Sequence, residues 1–456
     1  MYQSQRSLES APGPPRPGRR LSGSWRWATI VSALAVALTA TQLAVGPVVG
    51  GQATAVAART TVVSLTFDDG DADQMVALPI LEKHAMPGTF YVISGYVDEP
   101  GYLTRNDLAT IAAKGHEIGG HTVSHTDLTT VPADEARRQV CIARATLTSW
   151  GYPQTSFAYP YAALNEQAQA VVRDCGYNSA RGLGDLQTDF GCPGCPYSGQ
   201  IPPANPYDFA AADMHDSTWT LGNLQVAVLN AERFGGWLPL TFHHVCDNCD
   251  PLSISPTLLD QFLAWLKTRQ SQGTTVKTVN QVVGGPVKPV VTVDPGASEL
   301  RNASLENPTS GSGFPDCWQA AGYGLNTPTW TRTNDARTGS RAQQLTVTGY
   351  SSGDAKLLPS LDLGACSPTI TPGTVYTVGT WYKSTANTQF AVYYRNADGA
   401  WRYWSSGPYV DPAAGWTLTT WTTPPAPPEA VGISFGLALI DNGTVVTDDH
   451  TLVPAS

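Results

Sequence analysis

Two adjacent carboxylates, Asp68 and Asp69, lie at the end of an apolar run that begins at Val62. A β-branched, apolar run is typical of a buried strand, so both acids are expected where this strand ends, just before a turn at Gly70. Neighbouring carboxylates repel each other unless a cation lies between them or one of them carries a proton. The pair therefore predicts a cation site or acid–base chemistry, although an ordinary Asp-Gly turn would give the same pattern.

Two histidines, His121 and His125, lie four residues apart in the sequence GHTVSH. On one helical turn, or in a loop coiled like one, this spacing points both rings the same way, which suits two ligands of one ion. Local hydrogen bonds explain most isolated pairs of this kind. Here a second pair, His243 and His244, follows another apolar run, and the histidines together with the aspartates favour a metal site.

Strand-like and helix-like segments alternate from residue 61 to residue 283. Strands are predicted at 62–67, 89–93, 117–121, 156–159, 177–181, 237–242 and 274–279. Helices are predicted at 73–84, 104–114, 132–150, 166–174, 218–234 and 256–270. This alternation predicts an α/β fold with a parallel sheet, open or closed into a barrel, whose chemistry lies at the carboxyl ends of the strands. The reactive residues at those ends are Asp68, Asp69, His121, His125, Tyr161, His243 and His244.

The order of these motifs resembles the polysaccharide deacetylases of carbohydrate esterase family 4, the NodB-homology domain. The resemblance rests on TFDDG at 66–70, HTVSH at 121–125, Pro160-Tyr161, and Leu240 followed three residues later by His243. It covers roughly residues 61–283 and implies a distorted (β/α) barrel of the NodB type.

The resemblance also implies a role for each motif residue. The ligands of a divalent metal, usually Zn²⁺ and alternatively Co²⁺, Ni²⁺ or Mn²⁺, would be Asp69, His121 and His125. Asp68 would be the general base, His243 the general acid, and the backbone N–H of Tyr161 a donor to the oxyanion. The residues that contact the substrate would be Pro160, Tyr161 and Leu240.

These roles agree with the chemistry of the residue types. Two neutral imidazoles and one carboxylate leave zinc an open position for water, whose proton Asp68 can accept. An amine leaves poorly until it is protonated, which requires an acid such as His243. Adjacent side chains in a strand face opposite ways. The spacing from Leu240 selects His243 as the inward residue, and His244 would then face the helices or stabilise the loop.

Two departures from the family pattern concern residues that tune the catalytic groups. Ala158 stands where the family carries an arginine that orients the catalytic aspartate, and the fourth family motif is not recognisable. Only a partial echo of that motif is present at 213–216, and residues 216–218 are interpreted instead as a helix N-cap. Arg181, at the end of the next predicted strand, could replace the missing cation, or it could pair with Asp174 or Asp185 on the surface.

Length and composition indicate an exported protein of two domains. The chain has 456 residues, more than one hydrophobic core usually serves. Its net charge of −10 argues against nucleic acid as a partner. Only 14% of the residues are charged, while Gly, Trp and Tyr are plentiful, which favours a carbohydrate-active protein.

Residues 1–58 are interpreted as an export signal. An arginine-rich start precedes an apolar segment at about 27–49, and Ala-Val-Ala at 55–57 supplies small residues suitable for cleavage. An uncleaved membrane anchor is the alternative, because about twenty apolar residues can span a bilayer. The pair Arg19-Arg20 leaves the export route open, since the residues after it fit a twin-arginine signal poorly. After removal of the signal, no stable membrane insertion is expected.

The eight cysteines form an even set, and an exported protein meets oxidising conditions, so disulfides are expected. The expected pairs are Cys141–Cys175 and Cys317–Cys366. The two Cys-x-x-Cys motifs, Cys192/Cys195 and Cys246/Cys249, could close as two short loops or bridge to each other. As four thiolates they would instead resemble a zinc ribbon.

The composition and the predicted secondary structure change after residue 283. A Pro-, Gly- and Val-rich linker is predicted at 284–297 after a domain at 59–283, and an all-β, jelly-roll-like sandwich at 298–456. Its strands are predicted at 344–347, 376–381, 390–394, 416–421 and 433–440. Trp401 and Trp404 are candidate glycan contacts because flat aromatic rings match sugar faces, with core packing as the alternative. The polar ends near 302–306 and 448–449 allow a structural Ca²⁺.

The sequence is identified as that of an exported, metal-dependent polysaccharide deacetylase that acts as a monomer. The expected substrate is an N-acetylated glycan such as chitin or peptidoglycan, with acetylated xylan as the alternative. A glycan-binding protein whose barrel has lost activity is the rival interpretation, because of Ala158 and the missing fourth motif. A structural zinc protein built on the Cys-x-x-Cys motifs is a third.

Overall fold

A parallel sheet of seven strands forms the N-terminal part of the computed structural model, which describes residues 60–308 and 313–455. The predicted export signal at 1–58 lies outside the described residues. The strands are β1 (Thr61–Phe67), β2 (Gly88–Val92), β3 (Glu117–Gly120), β4 (Ser156–Ala158), β5 (Ser179–Arg181), β6 (Gly236–Phe242), a separate ribbon of β7 (His244–Val245) and β8 (Ser253–Ile254), and β9 (Thr274–Val276). The order in the sheet is β5-β4-β3-β2-β1-β6, and β9 pairs with the start of β1.

β1 is enclosed because it has neighbours along both edges. β6 pairs with its whole length, while β2 and β9 pair with its two ends along the other edge. All seven residues of β1 are buried, as expected of a parallel sheet covered on both faces. The Phe67 ring lies 4.8 Å from that of Phe90 and 5.5 Å from that of Phe242. These rings lock three strands together next to Asp68.

The sheet does not close into a regular barrel, because β5 and β6 are not paired with each other within the described residues. An irregular segment bridges them instead. The backbone N–H of Phe209 donates to Ala180 in β5, and that of Ala212 donates to Pro239 in β6. The predicted distorted (β/α) barrel is confirmed, and the distortion lies where this segment takes the place of a strand.

Seven helices among the described residues cover the sheet. They are α1 (Ala77–His84), α2 (Arg105–Ala113), α3 (Ala133–Ser149), α4 (Glu166–Asp174), α5 (Leu221–Phe234), α6 (Pro256–Arg269) and α7 (Val279–Val283). The helix predicted at 73–84 opens as a 3₁₀ turn, Ala72–Val76, before α1. The predicted cap at 104 is correct, because the Thr104 side chain accepts the N–H of Asp107.

Two predicted boundaries are wrong. Thr220 caps α5, whereas Asp216 closes a local turn by accepting the N–H of Thr218 at 2.8 Å. The strand predicted at 274–279 ends at Val276, because Thr278 caps α7. In both cases a hydroxyl that satisfies a helix N-terminus moved the boundary by a few residues.

Two antiparallel sheets of five strands form the C-terminal part. The strands are β10 (Trp318–Tyr323), β11 (Thr327–Thr333), β12 (Ala342–Thr348), β13 (Asp354–Pro359), β14 (Tyr376–Ser384), β15 (Thr388–Asn396), β16 (Trp401–Val410), β17 (Ala413–Thr422), β18 (Ala430–Leu439) and β19 (Gly443–Pro454). One sheet has the order β10-β13-β18-β15-β16, and the other β11-β12-β19-β14-β17. Val378 and Val445 of the second sheet pack with Phe435 of the first in one core.

The predicted all-β sandwich is confirmed, but the sequence identified only half of its strands. The missed strands are β10, β11, β13, β16 and β19. Each carries Gly, Pro or charged residues that weaken a strand pattern.

The segment at 284–297, predicted to be a linker, lies against the α/β part. Arg144 of α3 donates to the carbonyls of Lys288 at 2.6 Å and Pro289 at 2.9 Å. Val291 packs against the apolar cluster of α3 and α4. The described residues form one compact unit in which the α/β part and the sandwich are in contact.

Four disulfides join the eight cysteines. The pairs are Cys141–Cys175, Cys192–Cys195, Cys246–Cys249 and Cys317–Cys366. Both predicted long-range pairs are present, and each Cys-x-x-Cys motif closes on itself. A zinc ribbon of four thiolates is therefore not formed. Among the described helices, none has the length and apolarity needed to cross a bilayer.

Candidate active site

Asp68 and Asp69 leave β1 at the carboxyl end of the parallel sheet. The Asp68 backbone N–H donates to Phe242 in β6 at 2.9 Å, so the chain stays paired up to this residue. Asp69 then adopts a φ of +74°, a conformation that is uncommon outside glycine. The sharp turn gives the two neighbouring carboxylates different partners.

Asp69 meets the two histidines of the HTVSH segment. Its Oδ1 lies 3.1 Å from Nε2 of His121 and 3.2 Å from Nε2 of His125. His121 directly follows β3, and the loop after it bends through Thr122 at a φ of +65° and His125 at +54°. The segment is a coiled loop, and it brings both rings onto one carboxylate oxygen.

The ligand atoms of Asp69, His121 and His125 form a triangle, and the protonation of His121 indicates which species this triangle can bind. Its Nδ1 lies 2.7 Å from the carbonyl oxygen of Ala158, which can only accept, so Nδ1 carries a proton. In the neutral ring Nε2 then presents a lone pair to the Asp69 oxygen. At this distance the two atoms need a shared cation. It is either a metal ion or a proton on Nε2, and although burial opposes it, the hydrogen bond with Asp69 raises the pKa of His121. Two imidazole nitrogens and a carboxylate oxygen, all within 4.8 Å of one another, fit zinc or a similar divalent metal.

The electrostatics of the triangle agree with a cation site. Burial raises the pKa of Asp69, but the hydrogen bonds and charges of His121 and His125 outweigh it and hold the pKa well below its usual range. The Asp69 carboxylate is thus ionised at any physiological pH, as a metal ligand must be.

Asp68 is held by Arg181 rather than by the histidines. One guanidinium nitrogen, Nη2 of Arg181, lies 2.5 Å from Oδ1 of Asp68 and 3.0 Å from the hydroxyl of Thr66. The guanidinium carbon also lies 4.9 Å from the centre of the Tyr91 ring. Arg181 is fully buried, so it does not pair with Asp174 or Asp185 on the surface. The structure places this cation on the carboxylate that the missing family arginine would orient.

His243 directly follows β6, beyond the buried Leu240, and so lies at the same carboxyl end of the parallel sheet, here called the rim. Burial lowers the pKa of His243, and the negative charges of Asp69 and Asp68 offset this only in part. Its Nδ1 is buried without a hydrogen-bond partner among the described residues. Burial of the ring thus favours its neutral form.

His244 makes a different set of contacts. Its Nδ1 lies 2.8 Å from Asp73, and its Nε2 lies 3.5 Å from Asp71. The hydrogen bond with Asp73 raises the pKa of His244 to about 9. The charged ring joins the end of β6 to the loop after Asp69, which is the loop-stabilising place expected for this residue.

Tyr161 and its neighbours border the triangle. Tyr161 is 59% exposed, has a φ of +57°, and its ring centroid lies 4.4 Å from that of His125. Pro160 before it is buried, and Leu240 belongs to the core. An exposed aromatic ring beside a buried polar cluster can contact a substrate while shielding the cluster from water.

Two buried residues near the rim carried no recognised sequence signal. Gln74, which looks like part of a helix, donates its amide to the backbone carbonyls of Asp68 and, at 3.1 Å, His243. It fixes the two strand ends relative to each other. His215 is buried, and burial lowers its pKa to about 4. The partial echo of the fourth motif, at 213–216, was the only hint of this histidine.

A second group near the rim consists of Asp73, Cys246 and Cys249. The two cysteines are joined in a disulfide, so they offer no thiolate to a metal. In the sandwich, Glu306 accepts the backbone N–H groups of Ser340 and Arg341 at 2.9 Å. This contact explains that carboxylate without calcium, and the calcium site stays a prediction.

The candidate glycan contacts Trp401 and Trp404 are both half-buried, and their role stays a prediction. Trp404 packs against the sandwich core, and the indole N–H of Trp401 donates to the carbonyl of Asp362 at 3.1 Å. The exposed ring of this stretch is Tyr403, at 51%. A bulge opposite Tyr393 changes the alternation of β16, which the sequence pattern did not reveal.

Comparison with known families gives one match over part of the α/β region. Residues 55–180 match the family model described as polysaccharide deacetylase. A peptidoglycan-N-acetylglucosamine deacetylase of Listeria monocytogenes is 31% identical over 114 residues, which cover 24% of this chain and 23% of that protein. A chitooligosaccharide deacetylase of Rhizobium leguminosarum is 36% identical over 78 residues, which cover 17% of this chain and 34% of that protein. The match thus spans well under half the length of these relatives.

Among solved structures, one similar chain is a family 4 acetyl xylan esterase from Clostridium thermocellum in complex with a cobalt ion. It is 22% identical, with a TM-score of 0.36, and the alignment covers 51% of this chain and 96% of that one.

Proposed function

We propose that this chain is a secreted, zinc-dependent enzyme that removes acetyl groups from an N-acetylated glycan. The match of residues 55–180 to the family model described as polysaccharide deacetylase supports the proposal. The observation that carries the proposal is the meeting of Asp69, His121 and His125 beside a second carboxylate, Asp68, that a buried arginine holds. One acid is placed to bind a cation and the other is left to move a proton.

The metal would be held by Asp69, His121 and His125. When bound there, zinc would supply Lewis-acid chemistry, acidifying a water molecule and polarising the acetyl carbonyl. Asp68 accepts the proton of the attacking water. Arg181 fixes the orientation of the Asp68 carboxylate.

Tyr161 is proposed to stabilise the oxyanion, and His243 to protonate the leaving group. The backbone N–H of Tyr161 donates to the oxygen on which charge develops. His243 gives a proton to the departing amine. Because burial lowers its pKa, protonated His243 is a stronger acid than an exposed histidine would be. Leu240 and Pro160 shape the pocket for the acetyl methyl group.

The substrate class rests on the relatives that the domain matches, which act on peptidoglycan and on chitooligosaccharides. The decisive experiment is an acetate-release assay on chitooligosaccharide, peptidoglycan and acetylxylan side by side, with zinc and with a chelator. We expect zinc-dependent release from at least one N-acetylated substrate. Release from acetylxylan alone would make the protein an O-deacetylase, and binding to all three without release would make it a catalytically impaired glycan-binding protein.

The sandwich is proposed to bind glycan through tyrosines of the sheet β10-β13-β18-β15-β16. Tyr323 and Tyr403 are each 51% exposed. The ammonium of Lys356 lies 5.8 Å from the Tyr323 ring and 5.5 Å from the Tyr393 ring, and the Tyr393 ring lies 5.9 Å from that of Tyr403. The buried Lys356 and the half-buried Tyr393 thus lie between two exposed rings, Tyr323 and Tyr403, which are the proposed sugar contacts.

The proposed sugar contacts are tested with Tyr403→Ala. Binding to the insoluble polymer should weaken about threefold to tenfold, as the loss of one stacked ring predicts. Release of acetate from a soluble oligosaccharide should not change. The control is Leu418→Ala, an exposed apolar residue on the other sheet. Equal binding by both variants and the parent would remove the tyrosines from the proposal.

A further inference from the structure

The loop that carries the two metal-site histidines has a strained backbone. Thr122, a β-branched residue, has a φ of +65°, and His125 has a φ of +54°. Such conformations persist only where the surroundings fix them. Thr122 and Val123 are both fully buried. The neighbours of this loop therefore decide whether the two imidazoles stay in place.

Gln139 of α3 is the main polar support of the loop. Its Oε1 accepts the backbone N–H of Val123 at 3.2 Å and that of Ser124 at 3.1 Å. Its Nε2 donates to the hydroxyl of Ser124 at 2.9 Å and to Oε1 of Glu135 at 3.2 Å. One amide side chain thus fixes the two residues before His125.

The same support continues into the sandwich. Oε1 of Glu135 also accepts the backbone N–H of Leu363 at 2.8 Å. Glu135 and Gln139 are only 2% and 1% exposed, so water does not compete for these bonds. Leu363 belongs to the C-terminal part, 228 residues from Glu135 along the chain. A chain of three hydrogen bonds therefore joins the histidine loop to the sandwich.

An apolar contact accompanies this polar bridge. Val123, which lies between the two histidines, forms a buried cluster with Ala143 and Leu363. Gly399 of the sandwich closes the contact. A Cβ atom at Gly399 would lie 2.7 Å from Cγ1 of Val123 and 3.0 Å from Cδ2 of Leu363, so any side chain there would push on the loop.

We propose that the C-terminal sandwich is a positioning element of the metal site, holding the His121–His125 loop through Leu363, Gly399 and the Glu135–Gln139 bridge. The proposal rests on the proposed metal site but adds a role to the sandwich other than glycan binding. It implies that zinc affinity and turnover of small soluble substrates depend on residues that touch neither zinc nor substrate.

A matched pair of glycine variants of the full chain tests the contact. Gly399 and Gly373 both have positive φ, at +90° and +75°, but a Cβ at Gly373 would meet nothing within 4 Å. Both variants carry the same backbone strain, and only Gly399→Ala presses on Val123. We expect the zinc dissociation constant, measured by competition with a chromophoric chelator, to rise about tenfold or more in Gly399→Ala alone.

Leu363→Ala removes the contact instead of compressing it, and Leu363→Met keeps its apolar volume. In metal-free protein, amide exchange of the peptide containing residues 121–125 should speed up in Leu363→Ala and return to the parent rate in Leu363→Met. Thermal unfolding of each variant establishes that it is folded.

Folded Gly399→Ala and Leu363→Ala with the zinc affinity and exchange rates of the parent would overturn the inference. The exchange measurement needs neither zinc nor acetate release. Failure of the parent to bind zinc would overturn both the proposed function and a role in metal binding, whereas unchanged exchange would overturn this inference alone.

Discussion

A buried carboxylate in the sandwich and the buried polar atoms at the rim of the parallel sheet differ in their hydrogen-bond partners. In the sandwich, the fully buried Asp448 accepts backbone N–H groups from Arg337 at 2.8 Å, Thr338 at 3.3 Å and Asp449 at 2.7 Å. At the rim of the parallel sheet, Oδ1 of Asp69 faces only two imidazole nitrogens, and Nδ1 of His243 has no partner among the described residues. The sandwich carboxylate is satisfied by its own fold, while the rim groups are left available.

Backbone strain is concentrated around the metal-site residues, although single residues of the sandwich such as Asp449 also have positive φ. Asp69, Thr122, His125 and Tyr161 all have positive φ and all lie at the rim. Buried groups without partners and strained residues both lower stability, so they are retained where the surroundings fix them and a function uses them. At the rim, groups without partners and strained residues converge on one place that fits a cation and a substrate, whereas the Asp448 carboxylate of the sandwich is satisfied by backbone donors.

The largest effects are expected from substitution of the two acids at the rim, Asp68 and Asp69. We expect Asp68→Asn to lower kcat about 10³-fold, within the range for loss of a general base, while bound zinc is retained. Asp69→Asn should lose both zinc and activity, because it removes the only carboxylate of the triangle. Acetate release and metal content by atomic emission measure the two effects.

Asp448→Asn is the matched control in the sandwich. It should lower stability by about 1–3 kcal/mol, since buried hydrogen bonds to a carboxylate are weakened, and leave zinc content unchanged. Equal turnover in Asp68→Asn and Asp448→Asn would contradict the assignment of Asp68.

Two buried arginines, Arg181 and Arg144, make similar contacts at different places in the molecule. Arg181 lies against Asp68 and over the Tyr91 ring, whereas Arg144 lies against the 284–297 segment and over the Tyr177 ring at 5.7 Å. Arg181→Met should lower kcat about 10²-fold, as expected when a reacting group loses its orientation. The loss should appear in kcat rather than in KM, because Arg181 is proposed to orient Asp68 and not to contact the substrate.

Arg144→Met should reduce stability and leave kcat unchanged. Zinc content should match the parent in both arginine variants. A near-normal rate in Arg181→Met, or the same loss of kcat in Arg144→Met, would end the assignment of Arg181 as the positioning cation.

The sequence predicted what depends on local pattern. The strand at 62–67, the two acids at its end and the paired histidines after the strand at 117–121 were all visible, because each apolar run and its polar end are contiguous. Arg181 could be raised only as one of two possibilities. Its partner lies 113 residues away, and no local pattern shows which strands become neighbours.

The remaining features depend on contacts that are distant in sequence. A Pro- and Gly-rich segment at 284–297 has the composition of a flexible linker, yet Arg144 fixes it through carbonyls that any sequence would offer. Leu363 has no distinguishing feature in the sequence, and its contact with Val123 joins the C-terminal part to the α/β part. Trp401 and Trp404 were proposed as glycan contacts because of residue type alone, which does not show how far a ring is exposed.

The smallest expected effect compares two histidines. The pKa of His244 at the rim is raised to about 9 by its hydrogen bond with Asp73, whereas burial lowers the pKa of His450 in the sandwich to about 4. A raised pKa gives stability that is complete below the ordinary value near 6.5 and is lost as the pH rises through about 9. A lowered pKa gives stability that is present above 6.5 and is lost as the pH falls towards about 4.

Urea unfolding of chelator-treated protein over this pH range measures both effects. His244→Gln should remove the part of the alkaline decline that His244 causes, and His450→Gln should remove part of the acid decline, each by at most about 3 kcal/mol. The change in slope with pH is diagnostic, because either substitution can also alter packing at all pH values. If His450→Gln flattened the alkaline limb, or His244→Gln the acid limb, the charged rim and the neutral sandwich interior would have been assigned the wrong way round.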